Sequence, residues 1–351
     1  MITGAHTQVC ALFIGGIMQI IEPGYYSRFR CIASQCPDSC CKEWEVEVDE
    51  AAASLYRSLP GDLGDKLRQV LRDDPEWGTV MTIENGRCPM WRADGLCRIH
   101  AELGHEALCK TCREFPRLRH DYSSFAELGL ELSCPEAARL ILTCPSQPPI
   151  VRQADGGEQP DYDEKDMSIL LETRRAALAL LDNPEYSVPQ ALILMYFQAL
   201  HAQTLLDGGE PPAFVPAQIL QTAGEFGRPG DYEEITAFFR GLEILTPEWS
   251  QRLSAPLSPA PWSDGFRNLA RYFAERYWLQ AVSDLDIVSR AKFTLIACLF
   301  IHHLGGDFIE TAQLFSKEIE NSDQNLDALL DAAYTSPAFT DERIMGLLLN
   351  S

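Results

Sequence analysis

Along this chain the spacing of apolar side chains changes character near residue 163. Before it, the apolar positions come in short alternations. Trp44, Val46 and Val48 alternate with Glu45, Glu47 and Asp49, the two-residue period of a half-buried strand, and Leu128, Leu130 and Leu132 repeat that period just ahead of Cys134. Asp49 stands where its carboxylate can cap a helix opening Glu50-Ala51-Ala52, Asp62 to Arg72 reads as a surface helix, and Glu84-Asn85-Gly86-Arg87 reads as a turn. Beyond residue 163 the period becomes helical: Met167, Leu170, Leu171, Leu178 and Leu181 share one face of a helix that Asn183-Pro184 ends. Further helices are predicted at about 189–206, 214–224, 231–245, 264–281, 286–304, 307–320, 323–334 and 340–350, with Pro229-Gly230 and Gly305-Gly306 among the breakers. Phe266, Leu269, Phe273 and Tyr277 form an aromatic stripe that belongs in a core. His302 and His303 end a helix, where cationic groups suit the dipole.

The pattern predicts a mainly α protein: a cysteine-rich N-terminal region with short strands over residues 22–145, then an all-helical C-terminal region over 164–351. Residues 146–163, with four prolines from Pro145 on, a Gly-Gly pair and no apolar period, read as a linker. Val9 to Ile21 are apolar, yet the first basic residue is Arg28, so the charged start of an export signal is missing and the run is too short to cross a bilayer. With Met18 inside it, the stretch 1–21 is set aside as a leader. No other segment is read as reaching membrane length, and the expected location is the cytoplasm.

Charge narrows the partners. Lys+Arg 29 against Asp+Glu 51 gives a formal charge of -22, which repels nucleic-acid phosphates and anionic lipid. Neither nucleic acid nor membrane is therefore expected as a partner. The excess is concentrated after residue 150, where 14 basic side chains face 30 acidic ones, against 15 and 21 before it. A solvated acidic surface explains this, and a lysine-rich partner would also be drawn to it.

The twelve cysteines change the picture most. Ten lie between Cys31 and Cys144; Cys10 and Cys298 stand apart, and Cys298 reads as a core thiol. In a reducing compartment, clustered thiols point to metal rather than to disulfides. They fall in blocks: Cys31-x4-Cys36-x3-Cys40-Cys41, then Cys88-Pro89 and Cys97, then Cys109-x2-Cys112-Arg113-Glu114-Phe115-Pro116, and last Cys134-Pro135. Thiolates are soft ligands suited to zinc and iron-sulfur clusters, and their charges gather only where a cation neutralises them. Candidate ligands are Cys36, Cys40, Cys41, Cys88, Cys97, Cys109, Cys112 and Cys134; one four-ligand centre, two centres, or one cluster with inner thiols all fit that set. Neither the familiar zinc spacings nor the ferredoxin spacing is met. The pattern Cys-x3-Cys-x2-Cys is broken because Glu43 stands where its third cysteine would be.

In order, Cys36-Pro-Asp-Ser-Cys40-Cys41-Lys-Glu-Trp44, Gly86-Arg-Cys88-Pro89, Gly95-Leu-Cys97, Ala107-Leu-Cys109-Lys-Thr-Cys112-Arg-Glu-Phe-Pro116-Arg117 and Leu132-Ser-Cys134-Pro135-Glu136 resemble the flagellin lysine-N-methylase family. More loosely they resemble a wider group of zinc- or iron-chelating proteins. The resemblance implies an iron-sulfur centre, expected as 4Fe-4S with zinc the alternative, flagellin as protein substrate, and S-adenosylmethionine as methyl donor. The competing reading is a structural zinc module that presents an acidic helical surface to a basic protein. No Rossmann-type glycine loop is present, since Gly15-Gly16 lacks the strand and helix around it, so a donor pocket would be of another kind, between the cysteine-rich region and the helices. Arg113 and Arg117 are candidates to bind the donor's carboxylate or to compensate a cluster's negative charge, and ordinary salt bridges explain them equally well. No catalytic residue stands out: Tyr25, Tyr26, Asp121, Tyr122 and Glu136 are possible proton acceptors, and His100, His105 and His120 possible bases or nitrogen ligands, but packing or surface roles explain each as well. The oligomeric state is not legible.

Overall fold

The computed structural model describes residues 16–42 and 44–351. In chain order, β1 (Gly16–Glu22) and β2 (Val46–Glu47) precede α1 (Glu50–Ser58) and α2 (Gly61–Val70). Next come the hairpin β3 (Leu71–Asp74) and β4 (Gly78–Met81), the short helices α3 (Arg98–Leu103) and α4 (Lys110–Glu114), the hairpin β5 (Arg117–Asp121) and β6 (Phe125–Leu130), then α5 (Pro135–Thr143) and β7 (Ile150–Gly157). From there the described chain is helical: α6 (Glu164–Asp182), α7 (Val188–Leu206), α8 (Pro216–Phe226), α9 (Tyr232–Arg240), α10 (Pro247–Ser254), α11 (Asp264–Tyr277), α12 (Ile287–Leu304), α13 (Phe308–Ile319), α14 (Asp323–Thr335) and α15 (Asp341–Asn350). The mainly α architecture, with short strands confined to the N-terminal region, is the one the pattern predicted.

Two sheets form. A three-stranded sheet has the order β2-β4-β3, and a four-stranded one the order β5-β6-β1-β7. In the larger sheet β1 runs parallel to β6, with Gln19 opposite Phe125 and Ile21 opposite Glu127, and antiparallel to β7. This corrects two expectations. The end of the supposed leader, residues 16–21, lies in the interior strand β1, while residues 1–15, Cys10 among them, lie outside the described residues. The supposed linker carries β7, whose side chains are largely exposed; an edge strand is held by backbone hydrogen bonds to its neighbour, so it needs no apolar period of its own.

The helices follow their punctuation. Asp163 caps α6 through the amides of Lys165 and Asp166, and Ser187 and Gln190 close a capping box at the start of α7. Helix α10, not predicted, carries an equally plain signal in Thr246-Pro247, where the threonine hydroxyl accepts from the Trp249 amide at 3.2 Å. At the centre lies α12, with every residue but Arg290 buried. By length and composition α12 could cross a membrane, so the expectation that no segment reaches that length is corrected; here it is the core helix that the others cover. The aromatic stripe Phe266, Leu269, Phe273 and Tyr277 is buried on α11, and Cys298 is buried on α12.

His302 and His303 do end α12, but as buried, stacked rings. They stack on Trp262 at 4.2 Å and on Tyr232 at 3.9 Å, and burial pushes both imidazoles below their usual pKa, which favours neutral rings.

The apolar interior is divided. One large core joins the helices to β6, α5 and Phe29, and a second, small one joins Val46, Val48, Tyr56, Leu67, Met81 and Ile99 with Cys109. The second core supports the cysteine loops.

Candidate functional site

The cysteine loops are built on that small core by a few polar anchors. Asp49 Oδ1 accepts from the Ala52 amide at 3.1 Å, capping α1 as predicted, while Oδ2 accepts from the Lys110 amide at 2.7 Å. One carboxylate thus fixes the starts of α1 and of α4, which follows directly on Cys109 and carries Cys112. Those two amide donors keep the Asp49 carboxyl below its usual pKa. The Thr111 hydroxyl donates to the Glu47 carbonyl at 3.1 Å, and the buried Tyr56 hydroxyl donates to the Ala107 carbonyl at 2.7 Å. The Cys88 amide donates to the Cys41 carbonyl at 2.8 Å, which lays the second cysteine block against the first.

Three thiols occupy cap positions: Cys97 before α3, Cys109 before α4 and Cys134 before α5, the last with Pro135 in the first turn. No sulfur there accepts a cap hydrogen bond, yet the amides of the following turn lie close enough to act on its charge. The amides of Ile99 and His100 bear on Cys97, that of Cys112 on Cys109, and those of Glu136 and Ala137 on Cys134, each favouring the thiolate.

Mutual charge and burial oppose that pull. Burial, then the charges of Cys41, Cys97 and Cys109, push Cys88 up to about 12, and burial with Cys36 and Cys31 nearby pushes Cys134 up to about 11. Burial also raises Cys36 and Cys97. Cys40 and Cys41 share a thiol–thiol hydrogen bond that lowers Cys41 to about 7 and raises Cys40. Cys109 and Cys112 behave alike, with Cys109 lowered and Cys112 raised. In each pair the hydrogen bond eases loss of one proton and, together with burial and the charge of the first thiolate, opposes loss of the second.

All eight candidate thiols therefore lie within electrostatic reach of others of the set. Two groups can be distinguished. Cys36, Cys40 and Cys134, with Cys31, act on one another, as do Cys41, Cys88, Cys97, Cys109 and Cys112; Cys40 and Cys41 join the groups. As the loops stand, no three or more His, Cys, Asp or Glu side chains among the described residues are arranged to hold a metal ion. The donor set fits a thiophilic metal or cluster in chemistry, since it consists of gathered soft ligands that resist losing their protons together.

The first block is also tied to the helices. Asp38 accepts from Gln313 Nε2 at 3.0 Å and pairs with Lys317 at 3.1 Å, both on α13, and pairs with Lys42 at 2.9 Å. Gln313 Nε2 donates in addition to the Ser133 carbonyl at 2.7 Å, so one side chain links the loop before Cys40 to the residue before Cys134.

The remaining candidates are scattered. Arg113 sits on α4, where its charge helps to hold the Asp49 carboxyl low, and the Arg117 guanidinium lies over the Phe29 ring at 5.2 Å. Asp121 pairs with Arg119 at 2.7 Å and Glu136 with Arg139 at 2.6 Å, both at the surface. Tyr122 is buried and stacks on Phe125; His100 and His105 are exposed neighbours. Tyr26 is raised by burial, with Arg117 acting against the rise.

Tyr25 and His120 prove different. Both line a cleft between the four-stranded sheet and the helices, and Tyr25 also lines a second one between the loop after β1, α5 and α11; neither Arg113 nor Arg117 lines either. The arginines that do line them are Arg28, Arg174, Arg271 and Arg276. In sequence these are unremarkable helix or loop positions; tertiary packing turns Arg174, Arg271 and Arg276 inward, while Arg28 stays exposed at the rim.

The chain is similar to proteins of known name. It is 33% identical over 132 residues to the lysine-N-methylase of Salmonella typhimurium and 32% identical over 132 residues to that of Salmonella choleraesuis. It is likewise 32% identical over 132 residues to the flagellar biosynthetic protein FliU of Salmonella muenchen. The match takes in 36% of this chain, 78% of FliU and 33% of each of the two methylases, so it spans only about a third of their length. No family model matches the chain, and no solved structure does.

Proposed function

The chain belongs to the family of the lysine-N-methylases and FliU, and on that premise we propose that it is a protein-lysine N-methyltransferase acting on flagellin in the cytoplasm. Its resident centre, in this reading, is an iron-sulfur cluster held by thiols drawn from Cys36, Cys40, Cys41, Cys88, Cys97, Cys109, Cys112 and Cys134. The observation that carries the reading is that thiols from four separate segments lie within electrostatic reach of one another. A bound cation would offset the gathered thiolates and tie together loops that otherwise have only a small core beneath them.

Methyl transfer to lysine sets its own demands. A free lysine has a pKa of about 10.4, so at neutral pH roughly one side chain in 2,500 carries the lone pair that must attack. The nitrogen forms its bond to the methyl carbon as the methyl–sulfur bond of S-adenosylmethionine breaks, leaving that pair on sulfur. The ammonium proton must leave for a base beforehand.

The test joins mass and metal. Flagellin expressed with this protein is expected to carry methylated lysines, and the protein purified without oxygen is expected to contain iron and sulfide. Unmodified flagellin, with both proteins well expressed, would remove the methyltransferase reading; zinc without iron would transfer the centre to the structural alternative.

A further inference from the structure

The space between the sheet and the helices is an unusual place for a gap. Leu118 pairs with Gly129 and His120 with Glu127 across β5 and β6, so these four share one face of the hairpin, and Ile21 on the neighbouring strand β1 lines the same space. Opposite them stand Arg174 and Leu178 of α6 and Arg271, Glu275 and Arg276 of α11. A sheet face and two helices are expected to interdigitate at crystal-like density. Here they enclose a cleft of about 160 Å³, the volume of about five waters at roughly 30 Å³ each, with an open mouth beyond.

The floor stays low partly because residue 129 is a glycine. A β-carbon there would meet only Leu118, at 3.8 Å, so the backbone does not require glycine and a larger side chain would simply occupy the gap.

The lining is costly for a merely structural gap. Glu127 and Arg174 form a two-pronged pair at 2.5 and 2.8 Å, each side chain close to nine-tenths buried. Burial pushes the Glu275 carboxyl up, against the pull of Arg271 and Arg174, and burial with Arg276 nearby pushes His120 down. His120 Nε2 is buried with no hydrogen-bond partner. Arg271 is paired with Asp182 and Glu275, and Arg276 with Glu320, so the charges are held in ion pairs while His120 alone of these groups is unsatisfied; so many ion pairs between apolar layers cost stability unless something uses them. Together they offer donors for a carboxylate and acceptors for an ammonium within one small space, which is the chemistry of an α-amino-acid group.

The place suits a role beside the thiols. β5 starts at Arg117, shortly after Cys112, and β6 ends at Leu130, shortly before Cys134; Arg117 and Leu130 are paired. Both strands of the floor therefore lead into cysteine loops from the same end. The Tyr272 hydroxyl, in the lining, accepts from the Leu132 amide at 3.3 Å, two residues from Cys134.

We propose that this cleft between β5–β6 and the helices α6 and α11 binds S-adenosylmethionine by its amino-acid end. The inference rests on the methyltransferase reading and adds the location of the donor.

The test is binding of labelled S-adenosylmethionine to the metal-loaded full chain by equilibrium dialysis, for wild type, Gly129→Leu and Glu275→Gln. Metal content and unfolding midpoint serve as controls for the fold. Both variants are expected to bind about tenfold or more weakly with metal content unchanged, the one by filling the space and the other by removing a charge-assisted contact. Hydrogen exchange of the wild type, which needs no variant to fold, is expected to slow in β5, β6 and α11 when the donor is added. Variants that bind as the wild type does, or protection confined to other segments, overturn the location while leaving the enzyme reading in place. A wild type that binds no donor overturns both.

Discussion

Asp38 offers the sharpest test of how the cysteine loops are held, because it contacts no thiol through its side chain yet fixes the segment that carries three of them. Its carboxylate receives Gln313, Lys317 and Lys42 at 3.0, 3.1 and 2.9 Å, and its side chain is 21% exposed. Charge-assisted hydrogen bonds of this kind contribute about 1.5–3 kcal/mol each when buried, and exposed ion pairs about 0.2–1 kcal/mol. At this intermediate burial roughly 1 kcal/mol each is appropriate, or about 3 kcal/mol in all. Asp38→Ala also leaves Gln313 its bond to the Ser133 carbonyl, so no large desolvation cost is added on α13.

The loss should be local. Near 3 kcal/mol corresponds to about a 150-fold larger open population, at about 1.4 kcal/mol per factor of ten. Amides of the loop, such as that of Cys36 donating to the Ala33 carbonyl at 3.0 Å, are expected to exchange on the order of a hundredfold faster in Asp38→Ala. Those of α12, which the loop does not support, should keep their rates. Asp38→Asn, which retains an acceptor for Gln313 but not the charge, should fall between. If exchange in the loop rises less than about threefold, or rises equally in α12, the idea that Asp38 clamps the loop to α13 is wrong.

Two further outcomes follow from buried polar groups. Arg174→Leu strands the Glu127 carboxylate, whose side chain is 12% exposed, and should cost about 3–5 kcal/mol in urea unfolding, whereas the double variant Glu127→Leu/Arg174→Leu should recover most of that; equal losses in both would refute it. His303 titrates below its usual value because burial, and then His302, disfavour its charged form, so the unfolded chain takes up the proton first. The stability it contributes is whole above about pH 6.5 and lost as pH falls through the folded value. His303→Phe keeps a flat ring against Tyr232 and removes the proton site, so its unfolding midpoint should fall less than the wild type's between about pH 7.5 and 5.5; parallel declines would contradict this.

What the sequence revealed divides by the kind of physics involved. Helices are local: the apolar period of Met167 to Leu181, the stop at Asn183-Pro184 and the Asp49 cap all reappear in the structure because each acts within a few residues. The eight predicted C-terminal helices are likewise present, with ends shifted by a few residues. Strands β1 and β7 were missed because their partners are distant in sequence: Ile17 pairs with Asp155, and nothing within Gly16–Glu22 announces that. Cleft residues were hardest of all. Arg271, Glu275 and Arg276 stand on a helix whose apolar stripe was legible, but whether the charged flank meets water or a facing sheet is decided by packing alone.

The division of the core also bears on what a shared ion would do. Cys134 opens α5, which packs on α11 and α13, and the loop bearing Cys36 and Cys40 is held to α13 through Asp38. Cys88, Cys97 and Cys109 instead pack on the small core around Tyr56 and Leu67. The thiol set thus straddles two independently packed bodies, with adjacent Cys40 and Cys41 at the junction, and an ion that drew ligands from both sides would couple them. Since α11, on which α5 packs, also forms one wall of the cleft, an ion at Cys134 and a ligand in the cleft would bear on the same helix without touching each other.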